Sequence, residues 1–113
     1  KEHLNWTVNQ LVSIKENNSL DKIYLVGAAF KEDTDDLRNS PTLDIYKTLK
    51  QMDVEVIILD SQVIIPEHDY ISQIDQIASN SLLSIMYPQK EQFNTHLSEF
   101  ASKNKCIIYY PWN

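Results

Sequence analysis

Six residues in the stretch GAAFKEDTDDLRNSP, residues 27–41, have types and spacing that could do chemistry. Phe30 and Lys31 stand together, Arg38 follows, and Asp33, Asp35 and Asp36 lie between them. Two cations beside an aromatic ring can neutralise a diphosphate and offer a base or sugar a surface to pack on. Ser40-Pro41 then reads as a helix start, because Ser caps the open amides of a first turn and Pro is tolerated at the first helical position. That helix would aim its N-terminal amides, and the positive end of its dipole, toward the same anion. A plainer reading stands beside this one: Asp35 and Asp36 pair with Arg38 to shape a turn while Phe30 packs inside. Residue types alone leave both open.

The elements that must position these residues follow from hydrophobic periodicity. Leu4, Val8, Leu11 and Val12 recur at helical spacing, and a polar break at Glu16-Asn17-Asn18-Ser19 ends that helix. Ile23-Tyr24-Leu25-Val26, closed by Gly27, reads as a buried strand, so the chemistry-bearing stretch begins where a strand ends. Leu43, Ile45, Tyr46, Leu49 and Met52 give the helix after Ser40 its apolar face. Residues 54–59 (VEVIIL) read as a second strand stopping at Asp60, and Val63-Ile64-Ile65 as an edge segment or a packed loop. Ile71, Ile74, Ile77 and Ala78 predict a third helix, residues 82–87 (LLSIMY) a third strand, Phe93, Leu97, Phe100 and Ala101 a fourth helix, and residues 106–110 a last strand. Short apolar strands alternating with amphipathic helices predict an α/β fold with a mostly parallel sheet flanked by helices.

Composition narrows the function. The chain has 113 residues, enough for one domain, and 16 acids against 10 Lys and Arg give a formal charge of -6. That charge argues against nucleic acid and anionic lipid as partners. No apolar run approaches the roughly 20 residues that span a bilayer, and no basic-then-apolar signal pattern opens the chain, so the expected setting is cytoplasmic. The first residue is Lys1 rather than Met, as expected of an excerpt from a longer protein. Cys106 lies in an apolar run and reads as a structural thiol, and the scattered His3, His68 and His96 predict no metal site. The one glycine, Gly27, excludes both the three-glycine dinucleotide fingerprint and a P-loop, because both need backbone close to phosphate. Asp60, at the position where dinucleotide folds bind ribose, then reads as a strand-end cap. Acids after the first strand and Asp60 after the second also suggest a phospho-acceptor receiver domain, but neither LLSIMYPQ nor CIIYYPWN ends on the Lys it needs, though Lys90 is nearby.

Residues 30–49, FKEDTDDLRNSPTLDIYKTL, carry a more specific signal. They resemble the FK-x-x-TDD-x-R-x-SP segment that opens the C-terminal domain of the UDP-glucose/GDP-mannose 6-dehydrogenase family. The likeness extends back through IYLVGAAF and forward through VEVIILD, and is architectural only beyond about Ser61. It implies a three-layer Rossmann-like domain over residues 21–113, preceded over residues 1–20 by a helix joining it to a central region. It further implies an NAD-dependent enzyme that oxidises a nucleotide-sugar 6-hydroxymethyl to a carboxylate, with a UDP-sugar first among the substrates. The N-terminal domain of such an enzyme binds NAD and carries the catalytic cysteine, its central helices make a homodimer, and the C-terminal domain helps to bind the nucleotide sugar.

By that resemblance Phe30 and Lys31 contact the nucleotide sugar, Arg38 reaches the NAD side of the cleft, and Asp33, Asp35 and Asp36 scaffold the loop. Cys106 does not inherit the nucleophile's role, because the family's catalytic cysteine sits in a glycine-rich segment of another domain. The chain alone would be inactive, its NAD held mainly by the N-terminal domain. After its last strand the family places an Asp-Gly-Arg-like turn whose Arg helps bind substrate, where this chain has Tyr110-Pro111-Trp112-Asn113. That departure motivates an alternative, a non-catalytic nucleotide-binding or assembly module. Trp6 and Trp112 read as residues that pack against the core or a neighbouring domain.

Overall fold

A computed structural model of the chain describes residues 2–28, 40–61 and 69–111. Val63, Ile64, Ile65, His68 and Trp112 lie outside these, as does the side chain of His3. Helix α1 (Glu2–Asn17) leads into strand β1 (Lys22–Val26), helix α2 (Pro41–Gln51) and strand β2 (Val56–Leu59). Strand β3 (Tyr70–Ile71), a 3₁₀ turn (Ile74–Gln76), β4 (Ser81–Ile85), α3 (Glu91–Lys103) and β5 (Ile107–Tyr109) follow. The strands form one sheet in the order β3-β2-β1-β4-β5, and every neighbouring pair is parallel.

Alternation along the strands assigns each residue to a face. Ile23 and Leu25 of β1, with Val56 and Ile58 of β2 and Leu82 of β4, pack with Val8 and Leu11 of α1 and Ile45, Tyr46 and Leu49 of α2. Tyr24 and Val26, with Leu59, Leu83 and Ile85, pack on the other face with Leu97 and Ala101 of α3 and with Ile74 and Ile77. The central strands are therefore covered on both sides: all five residues of β4, Ser81 and Ser84 included, are buried, as is β1 beyond Lys22. The result is the expected three-layer Rossmann-like α/β domain.

One predicted element is different. The residues read as a third helix, Ile71 to Ala78, form instead the end of edge strand β3, a single 3₁₀ turn and extended chain. A spacing of three apolar residues, 71, 74, 77, fits the 3.0-residue period of a 3₁₀ turn as well as it fits a helix face. Gln76 decides between them locally: its Oε1 accepts the amides of Ser72 and Gln73 at 3.1 and 3.0 Å, which closes the turn early. The Ala78 amide then donates 2.9 Å to the Tyr24 hydroxyl, tying the segment to the sheet.

The scarcity of glycine leaves its mark at the turns. Ser19, Asp53, Asn80 and Lys105 all take positive φ, between 53° and 60°. Such left-handed corners usually fall to Gly or Asn, and each other residue there costs about 1 kcal/mol. At the amino edge of the sheet the turns are cross-tied by backbone: Asp21 donates to Asn80 at 2.8 Å and Asn80 to Asn104 at 2.9 Å. Beyond β5, Tyr110 is exposed and Pro111 is buried.

Candidate functional site

Because β2 and β3 lie on one side of β1 while β4 and β5 lie on the other, the winding reverses between β1 and β4. In open parallel sheets ligands bind beyond the carboxyl ends of the strands at such a reversal. The ends of β1 and β4, with the start of α2, form this edge here.

β1 continues into Gly27, whose amide donates 2.9 Å to the Leu59 carbonyl. Ala28 follows, fully buried, and its amide donates 2.8 Å to Oδ2 of Asp60 just past β2. Asp60 is thus a cap, but for the neighbouring strand rather than its own. Ser40 and Thr42, at the start of α2, are buried and turn back onto the same two residues. Ser40 Oγ donates 2.6 Å to the Ala28 carbonyl, and Thr42 Oγ1 donates 2.7 Å to the Gly27 carbonyl. Ser40 is in an extended conformation and also accepts the Leu43 amide at 3.4 Å, so it is the N-cap that the sequence predicts. Both polar groups of Ala28 are therefore fixed, and Ala28 and Ser40 are bonded to each other.

Between these two anchors run residues 29–39. Phe30, Lys31, Asp33, Asp35, Asp36 and Arg38 all lie there, outside the described residues. What the structure describes is the clamp that holds the two ends of their segment at the reversal point, beside the N-terminus of α2.

Tyr87 and Gln89 complete this edge, and sequence reasoning missed both. A Cβ placed on Gly27 would lie 3.0 Å from Gln89 Nε2 and 3.3 Å from Tyr87 Cβ. Gln89 is held by donating 2.9 Å to the Tyr87 carbonyl. The hydroxyls of Ser40 and Thr42 lie near the Tyr87 phenol and favour its ionised form. The available signal was a polar-tipped aromatic ending the apolar run LLSIMY, but its neighbours follow only from β4 lying next to β1.

This packing bears on cofactors. A dinucleotide laid across a Rossmann crevice needs bare glycine backbone against its pyrophosphate and an acid for its ribose. Here the single glycine is covered by Tyr87 and Gln89, φ at Gly27 is +101°, and Asp60 is engaged by the Ala28 amide. The described residues do not fit a dinucleotide at this crevice.

Burial pushes the Tyr87 phenol above its ordinary value of 10.0, partly offset by the Ser40 and Thr42 hydroxyls. Burial likewise raises the Cys106 thiol above 9.0, partly offset by the amides of Ser81 and Asn80. Cys106 is half-buried beside β5 and stays protonated at neutral pH, as a structural thiol does. In the alkaline range the unfolded chain therefore releases protons that the folded chain keeps, so stability falls as pH rises. The contribution is complete below about pH 9 and is lost as pH climbs through the raised values. Lys22, raised mainly by its hydrogen bond to Glu55, and Lys50, raised mainly by its hydrogen bond to Asp69, act with the same sign. Thermal melts should be level from about pH 7 to 8.5 and decline above about pH 9, with a shallower decline in a Cys106→Ala variant. A melting temperature that rises across this alkaline range would contradict the assignment.

Among the described residues no group of His, Cys, Asp and Glu is placed to hold a metal ion, and no helix is long and apolar enough to cross a membrane. His96 is exposed and lies 3.5 Å from Asp75, also exposed.

An all-parallel, doubly covered sheet with a clamped crossover at its reversal point defines the class as a Rossmann-like ligand-binding domain. The chain belongs to the UDP-glucose/GDP-mannose dehydrogenase family, whose UDP binding domain matches residues 24–109. Among solved structures it is similar to the native UDP-N-acetyl-mannosamine dehydrogenase of Staphylococcus aureus, at 24% identity and a TM-score of 0.71 over 97% of this chain and 31% of that one. A derivative structure of the same enzyme gives 22% identity and a TM-score of 0.69, over 96% of this chain and 30% of that one. A ternary complex of GDP-mannose dehydrogenase from Pseudomonas aeruginosa gives 23% and 0.66, over 91% of this chain and 28% of that one. The chain thus spans under a third of the length of each of these proteins, and at this identity the likeness speaks to fold. No curated protein sequence matches the chain.

Proposed function

We propose that this chain is the nucleotide-sugar-binding C-terminal domain of an NAD-dependent, cytoplasmic UDP-sugar 6-dehydrogenase, inactive apart from the rest of its protein. The observation that carries the reading is the clamp of Ala28, Ser40 and Thr42, which fixes both ends of segment 29–39 at the reversal point of a domain in this family. Within that segment Phe30 and Lys31 contact the nucleotide sugar, with Lys31 neutralising phosphate charge and Phe30 giving a packing surface. Arg38 reaches the cofactor side of the cleft, and Asp33, Asp35 and Asp36 orient the two cations. NAD, which takes up hydride from the sugar carbon when bound, belongs mainly to the N-terminal domain, in keeping with the filled crevice at Gly27. The central region then contributes the homodimer contacts. Residues 1–20 form the connecting helix and residues 21–113 the domain, although α1 shares one core with the sheet through Val8 and Leu11. Trp6, 48% exposed on α1, marks surface for the neighbouring region.

A second reading, a non-catalytic nucleotide-binding or assembly module, is favoured by Tyr110-Pro111-Trp112-Asn113 standing where the family has its Asp-Gly-Arg-like turn. One experiment separates nucleotide-sugar binding from an assembly role. In the first reading, Lys31→Ala with Arg38→Ala weakens binding of a UDP-sugar by roughly 10- to 100-fold, because the charge-assisted hydrogen bond of Lys31 alone is worth about 1.5–3 kcal/mol while Arg38 faces the cofactor side. An affinity unchanged in the double variant, measured by titration calorimetry, contradicts a nucleotide-sugar site on this segment.

A further inference from the structure

The geometry points to a second binding site on this chain, a cleft for one uncharged sugar ring on the α3 face of the sheet's carboxyl edge. Ser61 just past β2, residues 72–75 in the turn after β3, and Phe93 and His96 on α3 enclose about 260 Å³ there. Its walls stand on anchored elements. The amides of Ser72 and Gln73 donate 3.1 and 3.0 Å to Gln76 Oε1, and the Ser72 hydroxyl donates 3.4 Å to the same oxygen. Ile74 is 4% exposed within the core layer under α3, and Phe93 packs against that layer. His96 Nε2 lies 3.5 Å from Asp75 Oδ1 and joins the two walls. A cleft held in this way loses little conformational freedom when a ligand enters.

The lining selects the class of ligand. Ile74 and Phe93 supply apolar surface for the C–H face of a ring. Around them Asp75 accepts hydrogen bonds, while the Ser61 hydroxyl and the Gln73 amide both donate and accept, as the hydroxyls of a sugar do. No Lys or Arg lines the cleft among the described residues, and the Asp75 charge repels an anion, which disfavours phosphate and carboxylate. At about 260 Å³ the cleft is smaller than the roughly 300 Å³ at which drug-sized sites begin, so it suits one ring rather than a base joined to a ribose. It is also distinct from the clamp at α2: Asp60 turns its carboxylate to the Ala28 amide, and Ser61, the next residue, lines the cleft. The inference therefore goes beyond the function proposed above and does not rest on it.

The test is a ¹⁵N–¹H titration of the whole chain with methyl glucoside, inorganic phosphate and ethylammonium as separate probes. The glucoside should give saturable shifts at the amides of Ser72, Gln73, Asp75 and His96 and none at Ala28 or Ser40, and phosphate should give none at the first four. Asp75→Asn, at an exposed side chain whose loss leaves the core intact, should weaken the glucoside by roughly fivefold, because hydrogen bonds to a charged acceptor are the stronger ones. Three results overturn the site: no saturable shift with glucoside up to roughly 100 mM, an affinity unchanged in Asp75→Asn, or phosphate or ethylammonium binding at these amides as tightly as the glucoside. UDP binding is read at Ala28 and Ser40 instead, so the proposed function and this cleft stand or fall separately.

Discussion

Gly27→Val should lower the melting temperature by more than 10 °C and destabilise the domain by about 3 kcal/mol, read from thermal and urea unfolding. Two independent physical costs meet at this position. Its φ of +101° lies where a β-branched side chain is strained, which costs on the order of 1–3 kcal/mol. An added Cβ also meets Gln89 Nε2 at 3.0 Å and Tyr87 at 3.3 Å. Gln89 can swing aside cheaply, but the Tyr87 backbone is held against β1 by the Met86–Val26 pairing, so its ring cannot move away without breaking that pairing. Gly27→Ala should cost less, about 2 kcal/mol, because it carries the backbone strain with a smaller steric demand. If Gly27→Val melts within about 2 °C of the unaltered chain, the crevice is not packed as described.

Leu25→Ala should be the more destabilising of the two, by about 3–4 kcal/mol. Leu25 is 0% exposed in the central strand, in register with Ile58 on one side and Ser84 on the other. It faces the core layer under α1 and α2, where Leu11, Ile45 and Leu49 are also fully covered. Strands hydrogen-bonded on both sides cannot close over a lost isobutyl group, so a cavity remains and adds to the lost transfer energy. The matched control is Met52→Ala at the end of α2, where a 46% exposed side chain should give less than about 1 kcal/mol. Equal losses at the two positions, measured by urea denaturation, would contradict the layer assignment.

Legibility in the sequence followed the range of the interactions. β1, α2, β4, α3 and β5 are written locally, in apolar runs, in helical periodicity and in the Ser40-Pro41 start signal. The segment from Ile71 to Ala78 misleads because a three-residue spacing is shared by two helical forms, and the bonds to Gln76 that decide between them carry no periodic pattern. A two-residue edge strand such as β3 is too short to show alternation at all. In the site, the edge was legible, since the chemistry-bearing stretch starts where β1 stops. Asp60 was legible in kind, as a cap, yet its partner Ala28 follows only from the sheet order. Tyr87, Thr42 and Gln89 gain their roles from β4 crossing over to lie beside β1, a long-range event that no local spacing encodes.

In the proposed function this edge receives a nucleotide sugar and not a dinucleotide. Its most direct test is a ¹⁵N–¹H titration of the chain with UDP and, separately, with NAD, following Ala28, Lys31, Arg38 and Ser40. Saturable shifts with UDP at all four amides, and none with NAD, is the predicted result. Saturable shifts with NAD at the same amides, or no shift with UDP, would contradict it.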